Sequence, residues 1–529
     1  MDSACCTHSR PTFYRATMQV LNNKVLLLNL RNPKKVTNLI PKSRELPDNK
    51  VAVKWGLDEV HTLKKLNIRN IPSPILGHYN WPGQHKPFDH QKTTAAFLTL
   101  HQKALCLNEQ GTGKTGSVIW AADYLMTVGK IKRVLVICPL SIMDSAWRAD
   151  LFKFAMHRTV DIAYGKSNKR KEIINGPAEF VIINYDGVEI VADDILKANF
   201  DLIVVDEANA YKNTQTQRWK TLYRLVSPRT WLWMLTGTPA AQSPTDAFGL
   251  AKLVNPMGVP KFFTAFKDMV MYKVSQYRWI PKESAVQTVF NALQPAIRFT
   301  KDECLDLPEM TYVTRDVPLT PQQKKYYDLL KKRLVIQAAG EEITAFNAAV
   351  ELNKLLQISC GAVYSDSGET IEFTIDNRYR VLKEVIDEAS HKVLIFVPFK
   401  HVIDIICEKL KTDGITTEII SGDVSAQKRT DIFKHFQETS DPRVLVIQPQ
   451  AAAHGVTLTA ADTIVWWGPT PSLEIFAQAN ARVHRPGQRH PTTVVQLQGS
   501  NSEKYVYKLL NQKIDVHQKI VELYKDLLD

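Results

Sequence analysis

Cysteine is scarce in this chain and poorly placed for chemistry: there are seven in 529 residues, and no two stand in a CxxC spacing. Cys5 and Cys6 are adjacent and the others scattered, so neither structural zinc nor a disulfide framework is expected, and a reducing compartment fits best. No apolar run approaches the roughly 18 to 20 residues of a membrane span, and the start MDSACCTHSR lacks the apolar core of a signal peptide. A cytoplasmic protein is expected, in a prokaryote or a virus-infected host cell, or a nuclear one if the source is eukaryotic. No membrane is expected among its partners. Glycine and proline are not in excess and no repeat or low-complexity tract stands out, so disorder is not the default reading. Acidic residues are also in deficit, 54 against 67 lysines and arginines, for a formal charge of +13. That balance favours a polyanionic partner, nucleic acid first.

What is present is ordinary globular material, 44% apolar and 23% charged, in a chain too long for one core. From about 102 to 240, short apolar runs (ALCL, RVLVICP, EFVIINY, DLIVVDE, WLWMLTG) alternate with helical stretches. The pattern returns at about 392 to 500 in KVLIFVP, TEIIS, RVLVIQ, DTIVWWG and TTVVQLQ. Alternation of this kind marks parallel sheets with crossover helices, so two α/β domains are expected. The expected division is residues 1–85 as a small α+β accessory region, 86–250 as the first lobe and 251–375 as a helical insertion and linker. Residues 376–500 then make the second lobe and 501–529 a C-terminal helix. The turn-rich YSDSGET marks the last boundary of the linker. Ser500 and Glu503 are spaced as a capping box, with Val506, Leu509, Leu510 and Ile514 at helical spacing behind them.

After ALCL comes NEQGTGKT and then the helical SVIWAADYLM. A strand, a glycine-bearing turn and a helix start put the backbone amides of Gly111, Thr112 and Gly113 where they can hold phosphates. Lys114 would neutralise the β- and γ-phosphates, and Thr115 would offer a hydroxyl to Mg²⁺. The strict GxxxxGK[ST] pattern fails at Asn108, so the loop alone is also compatible with an ordinary strand-to-helix turn. DLIVVDEANA supplies the complement: Asp206 would join the magnesium shell, and Glu207 would orient and deprotonate an attacking water. Together the two motifs point to ATP hydrolysis. In PFDHQK, Gln91 can pair with both edges of adenine, while Phe88 either supports the base or belongs to the core.

Phosphoryl transfer spreads negative charge over the γ-phosphate, and an arginine brought to it is worth roughly 10³ to 10⁵ in rate. Arg482 and Arg485 in QANARVHRPGQ stand at i and i+3, expected on one face of a helix. With these arginines on the second lobe and the phosphate loop on the first, the site would be complete only when the lobes close.

QANARVHRPGQ closely resembles the last signature of the Swi/Snf-type helicase-like ATPases, a branch of helicase superfamily two. The resemblance continues in order through Gln91, NEQGTGKT, CPLSIMDSAW, INYD, DEAN, LTGTP, IRFTKDECLDLP, LIFVPF, ISGDVSAQKR and AAAHGVTLTAAD, about 400 residues from 86 to 500. It implies two RecA-like lobes with ATP between them, helical insertions, and a motor that tracks along double-stranded DNA. It also implies that LTGTP links ATP state to DNA grip, and that Gln478 and Gly455 lie near the nucleotide cleft. The motif DEAN has Asn209 where the family commonly has histidine, and His454 replaces a usual glycine. Compactness resembles members from bacteria and their viruses.

A motor indifferent to sequence should contact phosphates rather than base edges. By resemblance the candidates are Ser141, Asn184, Tyr185, Lys400, Ser421 and Gly422. The basic loop Lys166 to Lys171 and the run from Lys331 read as solvated faces, and Trp466 with Trp467 as core. The function expected is an ATP-dependent translocase on duplex DNA; the alternatives are a strand-separating DNA or RNA helicase and a non-hydrolysing DNA-binding scaffold. Residues 1–85 either buttress the first lobe or offer a surface to a protein partner.

Overall fold

Strands that read as unbroken apolar runs need cover on both faces, and in the computed structural model helices supply it. Described are residues 18–512 apart from 241–242, 276–278, 305–306, 339–344, 365–369 and 453–455. The first lobe holds a seven-stranded sheet. Its order is Ala296–Ile297, Lys103–Cys106, Trp231–Leu235, Leu202–Val205, Val134–Cys138, Phe180–Asn184, Val160–Ile162. The second holds six strands: Met310–Asp316, Thr492–Gln498, Ala461–Trp466, Lys392–Phe396, Val444–Ile447, Thr417–Ile420. Every pairing in both sheets is parallel. The fold is therefore α/β with two tandem lobes.

Strand neighbours fix which loops meet. Lys103–Cys106, Trp231–Leu235 and Leu202–Val205 lie side by side, so the phosphate loop, LTGTP and the acidic pair leave the sheet together at its carboxyl edge, where α/β sheets bind ligands.

The expected insertion, 251–375, is only partly one. Ala296–Ile297 extends the first sheet beside Lys103–Cys106, and Met310–Asp316 runs the length of Thr492–Gln498 as an edge of the second. The first of these strands is two residues long, and the second, MTYVTRD, is half exposed; neither carries the continuous apolar signal of a buried strand. The helix Ala345–Cys360 sends Leu352, Leu355 and Leu356 into the core of the second lobe. That lobe thus takes in residues well before 376. YSDSGET is flanked by a strand pair, Ala362–Tyr364 with Thr370–Glu372, rather than by a domain boundary.

The described part of the N-terminal region is a four-stranded antiparallel sheet with the helix Leu57–Lys65 and two single-turn helices, Lys34–Thr37 and Ile75–His78. It is fastened to the first lobe: Leu57 and Ile75 enter that lobe's core, and Ser73 Oγ lies 2.7 Å from Thr99 Oγ1. At the other end Ser500 accepts from Glu503 N in a capping box that opens the helix Asn501–Asn511; Ile514 lies outside the described residues. Trp466 and Trp467 are fully buried. Among the described residues no helix is long and apolar enough to cross a membrane.

Candidate active site

The phosphate loop is braced at the position where the strict motif would have glycine. Asn108, 1% exposed, donates Nδ2 to Thr94 Oγ1 at 2.9 Å and accepts from Phe299 N at 3.0 Å. A glycine there would bind neither the preceding helix nor the linker. Gly111 and Gly113 have φ of 84° and 75°, a region that a side chain disfavours. At Gly113 a Cβ would also collide with the Gln91 amide. Lys114 opens the helix Lys114–Thr127 and turns its ammonium back onto the carbonyls of Asn108 (2.9 Å) and Glu109 (3.2 Å). Thr115 is half-buried in the first turn. Thr112 O accepts from His90 Nε2 at 2.8 Å, a support that the sequence reading missed.

Gln91 is engaged on both sides of its amide. Oε1 accepts from Phe88 N at 2.9 Å, capping its own helix, and Nε2 donates to Gly113 O at 3.3 Å. Phe88 is 51% exposed and stacks on His90 with centroids 5.7 Å apart, so its core alternative is ruled out.

Asp206 and Glu207 stand at the end of Leu202–Val205. Asp206 accepts from Trp147 Nε1 on Oδ2 and from Glu207 N on Oδ1, both at 2.9 Å. Glu207 has φ 46°, an uncommon conformation for a non-glycine residue. Tyr185 holds this turn, its hydroxyl donating to the carbonyls of Asp206 (2.6 Å) and Glu207 (3.2 Å). Burial raises both carboxyl pKa values, and the Asp206 charge adds to the rise at Glu207, which reaches about 7. Lys114 and Arg482 oppose the rise at each.

The second lobe presents its arginines differently from expectation. The helix Leu473–Asn480 ends before them, and Arg482 and Arg485 sit in the following turn. Pro486 forbids an ordinary helical continuation, because the residue before a proline is pushed out of the α region. Gln488 staples the turn instead, donating Nε2 to Ala461 O at 2.8 Å and accepting from Arg489 N and His490 N on Oε1. Arg485 Nη1 donates to Val456 O at 2.8 Å, and its Cβ lies 3.4 Å from where a Gly111 Cβ would stand. Burial lowers the pKa of both arginines, that of Arg482 to about 10, while Glu207 and Asp206 act in the opposite sense on Arg482. Asp150 does the same for Arg485. Thus Gly111, Lys114, Asp206 and Glu207 of one lobe face Arg482 and Arg485 of the other. Gln478 is buried and donates to Glu474 Oε1 at 3.2 Å; Gly455 and His454 lie outside the described residues.

The expected DNA-contacting residues separate. Ser141 and Tyr185 line an interlobe cleft of about 750 Å³ that also touches Glu207 and Gln478. Asn184 is 8% exposed and accepts from the guanidinium of Arg170 at 2.9 Å, which commits its side chain internally. Arg170 itself is buried, contrary to a solvated basic loop: Ser167–Asn175 is a helix, and this arginine also donates to Ala163 O and Gly165 O. Lys400 pairs with Asp423. Ser421 is nearly buried, and Gly422 N donates to Gln448 Oε1 at 3.2 Å.

A family profile described as SNF2-related domain matches residues 90–360, just over half the chain, and one described as helicase conserved C-terminal domain matches 377–487. The chain belongs to the SNF2-related family. Among similar curated proteins is the chromodomain-helicase-DNA-binding protein 1-like of Danio rerio, 25% identical over 502 residues, covering 90% of this chain and 45% of that protein. An uncharacterized ATP-dependent helicase of Mycoplasma genitalium is 25% identical over 426 residues, 78% of this chain and 40% of the relative. This SNF2-related chain thus spans less than half the length of either. A solved Sulfolobus solfataricus SWI2/SNF2 ATPase core in complex with dsDNA is 21% identical, with a TM-score of 0.41, over 84% of this chain and 94% of that one.

Proposed function

We propose that this SNF2-related chain is a DNA-dependent ATPase that translocates along double-stranded DNA, remodelling DNA or DNA–protein complexes. The observation that carries the reading is the meeting of a glycine-rich turn and an acidic pair on one lobe with Arg482 and Arg485 on the other. In it the amides of Gly111, Thr112 and Gly113 and the ammonium of Lys114 bind the phosphates of ATP. Glu207, with a pKa near 7, takes the proton of the attacking water, a range suited to a general base at neutral pH. Arg482 and Arg485 neutralise charge on the γ-phosphate. Gln91 and Gln478 border the nucleotide.

Mg²⁺ fits the residues present. Asp206 is a buried carboxylate oriented by Trp147, and Thr115 offers a hydroxyl one helical residue after Lys114. Among the described residues no cluster of three His, Cys, Asp or Glu could cage a metal, which suits an ion held by one or two protein groups and the substrate phosphates. When bound it would neutralise phosphate charge.

DNA binding rests on phosphate contacts independent of sequence; of the expected candidates, Ser141 and Tyr185 line the interlobe cleft, and Lys400 and Gly422 are exposed. Net charge of +13 supports a polyanionic track. An ATPase assay across duplex, forked and single-stranded DNA and RNA tests the reading. Stimulation by duplex DNA is expected, and Glu207→Gln should abolish it while DNA binding persists. Turnover unchanged in Glu207→Gln rejects the assignment of the base, and stimulation by RNA alone rejects the track.

A further inference from the structure

Lys301 belongs to IRFTKDECLDLP, where the chain leaves the first sheet for the second, and it opens the short helix Lys301–Cys304. Its backbone N donates to Glu109 Oε2 at 3.1 Å, pinning it to the phosphate loop. Its ammonium donates at 3.0 Å to the carbonyl of His484, the second-lobe residue that precedes Arg485. A Cβ on Gly111 would stand 3.3 Å from Lys301 Cε and 3.7 Å from its Nζ, beside the 3.4 Å approach of Arg485 Cβ. The ammonium therefore lies at the tip of the glycine turn, where both lobes and the linker converge. Glu109 is the carboxylate facing it, and that group is shared with Arg298 at 3.6 Å. The other groups acting on it are cations: Arg485, Arg482 and Lys114. Asp206 and Glu207 offset part of the charge of Lys114 and Arg482, and Asp150 part of that of Arg485; four cations drawn together still favour an added anion with several charged oxygens.

We propose that Lys301 binds the terminal phosphate of ATP and, through its bond to His484, ties occupancy of that phosphate to the position of the arginine turn. The inference rests on the ATPase reading above and adds to it a residue on the linker. An ammonium carries three donors, so one can keep His484 while another meets a phosphate oxygen. A diphosphate, lacking the terminal group, would not engage it.

The test is binding of a slowly hydrolysed ATP analogue and of ADP, each with Mg²⁺, to the full chain. Lys301→Met should weaken the triphosphate analogue roughly ten- to a hundredfold, the span of a charge-assisted hydrogen bond, and leave ADP nearly unchanged. Lys301→Arg should restore most of the loss. Lys114→Ala is the control: loss there with an unaltered triphosphate preference in Lys301→Met overturns this inference alone. Unaltered nucleotide binding in Lys114→Ala overturns the ATPase reading and this inference with it. Should Lys301→Met not fold, the pH profile of kcat/KM for ATP decides. Burial and the neighbouring Arg485, Arg482 and Lys114 lower the Lys301 pKa to about 8, against Glu109, so the native protein should lose efficiency as pH rises through that value. Lys301→Arg should hold its efficiency to higher pH, and coincident alkaline limbs reject the proposal.

Discussion

Asn209, two residues beyond Glu207 in the first lobe, donates its amide to Glu474 Oε1 of the second lobe at 3.1 Å and to Thr238 Oγ1 of LTGTP at 3.0 Å. Where the family commonly has histidine, an uncharged amide here joins the acidic turn, LTGTP and the start of the arginine-bearing segment. Gln478 donates to the same Glu474 oxygen at 3.2 Å. Glu474→Ala should therefore loosen the lobes relative to one another without touching the phosphate loop. A hydrogen bond to a charged group is worth about 1.5–3 kcal/mol, so DNA-stimulated kcat should fall roughly tenfold or more with KM for ATP nearly unchanged. Steady-state turnover with and without duplex DNA measures this.

The pH dependence of hydrolysis has a predictable sign. Burial and the Asp206 charge raise the Glu207 pKa to about 7, and in the proposed role of base Glu207 acts only when ionised. Efficiency should rise as pH increases through about 7 and fall below it. In the complex a bound cation favours the carboxylate, so the acid limb of kcat should lie at lower pH than that of kcat/KM. Rate profiles in both regimes, compared with Glu207→Gln, check the assignment.

Trp147 is almost wholly buried and gives its indole N–H to Asp206 Oδ2. Trp147→Phe keeps most of the apolar volume and removes the donor, leaving a buried carboxylate oxygen short of a partner at a cost of about 1–3 kcal/mol. The expected result is a higher Mg²⁺ requirement for hydrolysis with modest loss of thermal stability. A Mg²⁺ titration of the variant that overlays the native one would exclude a positioning role.

Arg378 and Glu503 form a buried pair in the second lobe, 2.8 Å apart, with the Glu503 side chain fully enclosed and that of Arg378 4% exposed. Arg378 also donates to Trp467 O at 2.6 Å. Removing one member strands the other charge in the core, which typically costs about 3–5 kcal/mol. Arg378→Met should lower the denaturant midpoint of the second lobe markedly, and the double variant Arg378→Met/Glu503→Gln should recover part of it. Equilibrium unfolding of the single and double variants tests the coupling.

Legibility differed by kind of residue. The buried strands announced themselves because a strand covered on both faces must be apolar at nearly every position, as in VLVIC and FVIIN. The capping box at Ser500 and Glu503 was equally readable, being a local pattern, yet its second role as partner of Arg378, 125 residues away in sequence, was not. The edge strand MTYVTRD and the two-residue Ala296–Ile297 carried too little apolar signal to be seen. Asn184 shows the converse: its type suits a phosphate contact, but the buried guanidinium of Arg170 takes its side chain.

The two parallel-sheet lobes and the residue types of the glycine turn, the acidic pair and the arginines are legible in local pattern, because backbone periodicity and loop chemistry are local properties. Long-range packing places Lys301 at the tip of the glycine turn, sets the arginines on a stapled turn rather than a helix, and brings Asn209 to Glu474. Those contacts join segments up to 265 residues apart, and no local preference encodes which distant partner a side chain will meet once strand order has fixed where each loop emerges.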